Sequence, residues 1–344
     1  MTELEKFLSD EIEQGSFPGA VALVGEADTV SETAAAGFAV VEPERIPVSS
    51  ETWFDLASLT KPLVSGALVA AALPALDLAS PPGRYLPEWK ATRYDGITLE
   101  SLLTHTSGLP AWYPVYARGE GAAAYRRTIA SIEPEARPGE RVIYSDLNFL
   151  VVGDVLETFL SARLDVSFTA LVAEPAGSGA RFLPEPSVPV AATEKGDATE
   201  RRMAEAMGIS YPRFRTGVVR GEVHDGNALR RGGVAGNAGL FGTASDVWRL
   251  ARTWLDPSRR DLTRDRTPDL PEGRGLAWQS PRGAGSAVAA MPDSCFGHTG
   301  FTGTSVWIDP EAGRIAVLLT NRIHPEARQV EFNAVRRRFH ELSW

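Results

Sequence analysis

Ser58-Leu59-Thr60-Lys61 sets a hydroxyl and an amine three residues apart, on one face of a helical turn. Such a pair can do nucleophilic chemistry if the amine takes up the hydroxyl proton. The chain otherwise avoids lysine. Of its 35 basic residues, 31 are arginine and only Lys6, Lys61, Lys90 and Lys195 are lysine. Arginine keeps its proton at any working pH, whereas a lysine can lose one if its surroundings lower its pKa from about 10.4. The spacing therefore predicts a lysine of depressed pKa acting on Ser58.

Two further stretches carry polar groups that fit this chemistry. Tyr144-Ser145-Asp146 precedes an apolar run, and a tyrosine at such a junction can point its phenol into a cleft and relay protons. Gly297-His298-Thr299-Gly300-Phe301-Thr302-Gly303 leads into the strand at 304–308. Glycines at a strand edge let another backbone approach, so this edge can pair with an extended acyl group and offer an N–H to an oxyanion. The five histidines (105, 224, 298, 324 and 340) form no i, i+4 pair, so no metal site is expected, and no cofactor. His105 and His224 read as hydrogen-bonders within turns. No serine sits in the Gly-x-Ser-x-Gly setting of an α/β-hydrolase.

The elements that must position these residues follow from pattern and punctuation. Pro62 belongs in the first turn of a helix, and the apolar run at 63–73 continues it, so a buried helix is predicted from Ser58 to Leu73. A helix at 4–14 closed by Gly15, strands at 20–25 and 33–40, and a helix from Leu147 to Leu160 follow from periodicity. Thr98 is expected to cap a helix beginning at Leu99, and Ser245 one running over 244–254. Strands are expected at 276–279, 305–308 and 314–320, and an amphipathic helix at 326–342. Arg336-Arg337-Arg338 reads as a solvated face of that last helix. Strands at both ends and helices between them imply an α+β fold, with an antiparallel sheet built from both termini. Residues 1–55 and 245–344 would form the sheet unit, 56–244 a helical, loop-rich unit, with the active site in the cleft between them.

Composition narrows the partners. A net charge of -9 argues against nucleic acid and anionic membranes. No run is long enough to span a bilayer, and a single cysteine excludes an intrachain disulfide. Without a basic and apolar leader the chain reads as cytoplasmic, although one stripped of an export signal would read the same. The expected partner is a small-molecule ester, amide or peptide.

Taken in order, Ser58-x-x-Lys61, Leu102-Leu103-Thr104-His105-Thr106-Ser107-Gly108-Leu109-Pro110, Tyr144-Ser145-Asp146, Val223-His224-Asp225-Gly226-Asn227-Ala228, the glycine-rich 232–241 and His298-Thr299-Gly300 span nearly the whole chain. The set resembles the penicillin-recognising serine hydrolases: class C β-lactamases, DD-peptidases and β-lactamase-like esterases. That resemblance implies a five-stranded antiparallel sheet flanked by helices plus an inserted, mostly helical domain. It implies Ser58 as nucleophile, Lys61 as its base, Tyr144 as proton shuttle and the N–H groups of Ser58 and Phe301 as oxyanion hole. Asp146 stands where class C enzymes carry Asn, and His298-Thr299-Gly300 where they carry Lys-Thr-Gly. Both departures suit a less anionic substrate, so an esterase or DD-peptidase-like activity is expected. A true β-lactamase, or an acyl-binding sensor that does not turn over, is the alternative. A histidine at 298 makes any cationic anchor pH-dependent, and Arg322 is the candidate to replace it.

Overall fold

The computed structural model describes residues 1–90, 94, 96–328 and 330–344. Its main sheet is antiparallel throughout, in the order β3-β2-β1-β9-β8-β7. The strands are β1 Gly19–Gly25, β2 Val30–Val40, β3 Ile46–Pro47, β7 Phe296–Thr299, β8 Ser305–Asp309 and β9 Arg314–Thr320. Five strands of four residues or more form the sheet, and the two-residue β3 finishes one edge. The N-terminal and C-terminal segments meet where β1 pairs β9, with Ala22 opposite Leu318.

Alternation along β1 decides what covers each face. Ala20 and Ala22 face a core with Leu4, Leu8, Phe332, Val335 and Phe339 from the two terminal helices, Glu3–Glu13 and Phe332–Ser343. Val21 and Leu23 turn the other way, into the large core shared with Leu63, Leu68, Trp248 and Trp254. A small second sheet, β4-β6-β5, joins β4 Phe54–Asp55, β6 Leu240–Gly242 and β5 Arg181–Phe182. It fixes the backbone entering the Ser58 segment: Leu56 N–H donates to Leu240 O at 2.9 Å, and Leu240 N–H to Thr60 Oγ1 at 3.1 Å.

Several expected elements differ in detail. The buried helix is composite: a 3-10 turn at Ala57–Leu59, a π-helical stretch at Lys61–Gly66 and α-helix only at Ala67–Ala72. Residues 276–279 are not a ladder strand. Ala277 takes φ 64°, which breaks the extended run and leaves isolated bridges at Gln279. The cap of the helix Ala244–Arg252 is Thr243, reciprocated by Asp246, and not Ser245. The C-terminal helix begins at Phe332, capped by Glu331, so the expected start at 326 falls in a loop; residue 329 lies outside the described residues. Thr98 caps Leu99–Leu103 as expected. Among the described residues no helix is long and apolar enough to cross a membrane.

Candidate active site

The Ser58 segment turns on one strained residue. Ala57 has φ 49°, a left-handed conformation costing a non-glycine residue about 1 kcal/mol. Asp55 supports it, accepting the Ala57 N–H at 2.8 Å and the His224 N–H at 2.7 Å. The turn brings Ser58 to the end of the composite helix and into a cavity of about 370 Å³. Lys61 lies beneath it, fully buried.

Lys61 Nζ donates to Ser58 Oγ at 2.8 Å, to Asp146 Oδ1 at 2.6 Å and to the Asn237 carbonyl at 3.2 Å. Three acceptors use all three ammonium protons. Burial penalises that charge, but the Asp146 carboxylate, with Tyr144, outweighs it and holds the lysine above its ordinary range. The expected depressed pKa is therefore corrected. The physical reason is the acidic residue at 146, which turns a neutral acceptor position into an ion-pair partner. Asp146 itself is the first residue of the helix Asp146–Leu160.

Tyr144 lines the cavity with its ring 5.0 Å from Lys61 Nζ. Behind it pack His105, at 4.5 Å between ring centroids, and His298, at 5.8 Å. His105 accepts the Ser145 N–H on Nδ1 at 2.9 Å, so it is the structural hydrogen-bonder expected. His298 is 2% exposed and does not line the cavity. Its Nδ1 meets Thr299 O at 2.8 Å, and its Nε2 has no hydrogen-bond partner among the described residues. Burial first, then the nearby Lys61 and Arg274, push His298 well below the usual histidine range. It is neutral at pH 7, and a pH-dependent cationic anchor at 298 is ruled out by its position behind the tyrosine.

Seven of the nine residues singled out in the sequence line this one cavity: Ser58, Tyr144, Asp146, Thr299, Gly300, Phe301 and Arg322. Gly300 lets the strand edge close on the Ser58 turn. A Cβ there would lie 2.8 Å from Leu56 O and against Thr304 Oγ1. Among the described residues no acceptor takes the main-chain N–H of Ser58 or of Phe301. Two free donors on facing elements are what a tetrahedral oxyanion requires. Arg322 stacks between Phe301 and Phe332, at 5.1 and 5.0 Å from their rings, and donates Nε–H to Phe301 O at 2.8 Å.

Among the lining residues that sequence reasoning did not assign to the site are Glu200, Asp225, Asn237 and Arg336. His224 also lines the cavity, stacked on Phe301 at 5.5 Å, so the expectation of a purely structural residue is too narrow. Arg336 corrects the solvated-face reading. It is 6% exposed and donates to Gly300 O at 2.6 Å and Thr304 O at 3.2 Å, bracing the strand edge. Arg338 keeps to the solvated face as expected, and from there it pairs with the buried Glu11 at 2.6 Å. The readable signal was the i, i+3 and i+4 spacing of Phe332, Val335, Arg336 and Phe339, which puts Arg336 on the apolar face. No cluster of metal-ligating side chains occurs among the described residues.

Comparison with known proteins places this geometry in context. The family model described as Beta-lactamase matches residues 4–338. A Bacillus subtilis protein named N-acetylmuramyl-L-alanine amidase is 28% identical, with 97% of this chain and 83% of that protein aligned. Two solved structures share the fold across nearly their whole length. EstCE1, described as a hydrolase with promiscuous acyltransferase activity, superimposes with a TM-score of 0.74 at 21% identity, covering 97% of each chain. A penicillin-binding protein homologue from Caulobacter crescentus superimposes with a TM-score of 0.73 at 17% identity, covering 98% and 96%.

Proposed function

The chain belongs to the beta-lactamase family of serine hydrolases, and from that premise we propose that it acylates Ser58 with an ester or amide and then releases the acid. The observation that carries this reading is the 2.8 Å contact of Lys61 Nζ with Ser58 Oγ, beside two free N–H groups on one cavity.

Ser58 Oγ attacks the carbonyl carbon, and the developing oxyanion is received by the N–H groups of Ser58 and Phe301. The seryl proton passes to Lys61 Nζ. Because Lys61 rests as an ammonium, it must yield a proton as it gains one. The Asp146 carboxylate, 2.6 Å away, is the acceptor in line. Asp146 thus stores the proton while the tetrahedral intermediate exists, and Lys61 with Tyr144 returns it to the leaving group. Water then cleaves the acyl-enzyme by the reverse path. The amidase name of the Bacillus subtilis relative supports an amide carbonyl as substrate. Asp146 and the neutral His298 favour one other than a β-lactam, since neither attracts a ring carboxylate.

The test compares wild type with Ser58→Ala on p-nitrophenyl acetate, a chromogenic cephalosporin and a D-Ala-D-Ala peptide. Turnover should fall by roughly 10⁴-fold or more in the alanine variant. Undiminished activity would mean that Ser58 is not the nucleophile. An intact-mass gain that persists for hours without turnover would identify an acyl-binding sensor instead.

A further inference from the structure

One wall of the cavity carries buried acids that form no ion pair among the described residues, although His224 and Lys61 lie near enough to act on them. Glu200 and Asp225 both line it and are both buried. Glu200 receives the Gly226 N–H at 2.6 Å and the Tyr116 hydroxyl at 3.0 Å. Asp225 Oδ1 receives the Ala228 N–H at 2.7 Å and Asn237 Nδ2 at 3.2 Å. These are neutral donors. Among the described residues neither carboxylate has an ion-pair partner, while the neighbouring charges are already matched: Lys61 to Asp146, His224 to Glu194 and Arg215 to Asp197.

Asn237 adds an independent observation. It is 1% exposed and lines the same cavity, yet its Oδ1 has no donor among the described residues. Its orientation is fixed chemically, because only the amide nitrogen can donate to Asp225. A buried carbonyl oxygen left without a donor costs about 1–3 kcal/mol unless something supplies one. The wall therefore leaves the Asn237 Oδ1 without a donor and the two acids without a charged one. It also adjoins the reaction centre, since Asn237 binds Lys61 through its carbonyl and Asp225 through its amide. Burial, then Asp225, push the Glu200 carboxyl up to about 8, so it keeps a proton at neutral pH unless a cation bound beside it displaces that proton. Met203, one helical turn from Glu200, and Phe301 expose apolar surface into the same cavity.

We propose that Glu200, Asp225 and Asn237 form a pocket for a substrate ammonium group, so that the enzyme takes aminoacyl esters or amides with a free amine and an apolar side chain. The proposal rests on the acyl-enzyme reading above. A primary ammonium carries three donors and one charge, which is what the wall lacks. An N-acylated substrate would offer neither the charge nor the full donor set.

The experiment measures release of benzyl alcohol from the benzyl esters of D- and L-leucine and from their N-acetyl counterparts. At least one free-amine ester should exceed its N-acetyl counterpart in kcat/KM by about tenfold or more. In Glu200→Gln that ratio should collapse towards one, through KM for the free amine. Isoamylamine should compete with p-nitrophenyl acetate, and isoamyl alcohol should not; this needs no variant and no amino ester turnover. N-acetyl esters turned over as well as the free amines, or no difference between amine and alcohol, would overturn the ammonium pocket. If p-nitrophenyl acetate hydrolysis survives undiminished in Ser58→Ala, it is the acyl-enzyme reading that fails.

Discussion

The two walls of the cavity are opposite in chemistry. The helical wall, with Asp146, Glu200, Asp225 and Asn237, offers acceptors. The strand wall, with Gly300, Phe301, Arg322 and Arg336, offers donors and cations. Ser58 sits where they meet. A neutral pair of walls would bind a carbonyl compound in either sense. Opposed walls orient it, because reversal would place each charge against its like. In the proposed reaction the strand wall would also receive the oxyanion, while the helical wall would manage protons through Lys61. The difference teaches that a mechanism of this kind would assign positioning and proton transfer to separate structural elements.

The largest test of this division is Asp146→Asn, which installs the residue of the class C pattern and removes only the charge. Without the carboxylate, burial is left as the main influence on Lys61, and its pKa should fall. If Asp146 stores the seryl proton, kcat/KM at neutral pH should drop by about a hundredfold. Activity equal to or above wild type would show that a neutral Lys61 is the better base, and that the helical wall uses Asp146 for binding alone.

A second test asks whether His298 belongs to the strand wall or to the scaffold behind it. Its native pKa lies below the unfolded value of about 6.5, so the unfolded chain binds the extra proton first. The sign follows: this histidine costs nothing above pH 6.5 and destabilises the fold as pH drops below it. Relative to His298→Gln, wild type should lose up to about 2 kcal/mol by pH 5, read from urea midpoints at pH 7.5 and 5.0. Taking the difference between the two proteins cancels the buried carboxyls such as Glu200, whose raised pKa acts with the opposite sign. An unchanged difference would mean that His298 is charged or solvated in the native protein.

How much of this was readable beforehand depended on whether a residue's role is local. Ser58 and Lys61 interact across one turn, so their spacing announced the contact. The sheet was legible for a similar reason, since alternation in 20–25 and 314–320 marks strands wherever they pair. The partner of Lys61 was not legible as a partner. Asp146 was visible in its motif, but the ion pair joins positions 85 residues apart, and only folding brings a charge at 146 to the lysine. Asn237 lies in the loop-rich stretch before Leu240, where no periodicity tells which side chains turn inward, and Glu200 sits on a short, highly charged helix, Ala198–Ala206, where an acid reads as solvent-facing. Arg336 was misread because three consecutive arginines suggest a solvated face, although an apolar stripe runs through them.

The smallest test concerns which cation the strand wall presents. Arg322 has no carboxylate partner among the described residues, and it lines the cavity beside the Phe301 oxyanion donor. Burial lowers its guanidinium from the usual range, but an arginine keeps its charge at neutral pH. It can therefore hold a substrate carboxylate independently of pH, which His298 in its buried, neutral state cannot. In Arg322→Met, KM for a peptide ending in a free carboxylate should rise by about tenfold, while the C-terminally amidated peptide should change much less. In wild type the same KM should stay flat between pH 5.5 and 8. A KM that climbs as pH rises would instead implicate His224. Burial opposes the charge of that residue, but its bond to Glu194 and the surrounding acids raise its pKa, so it would lose its charge on the alkaline side. The cavity would then owe part of its positive charge to a titrating group outside the strand wall, and substrate orientation would weaken in base.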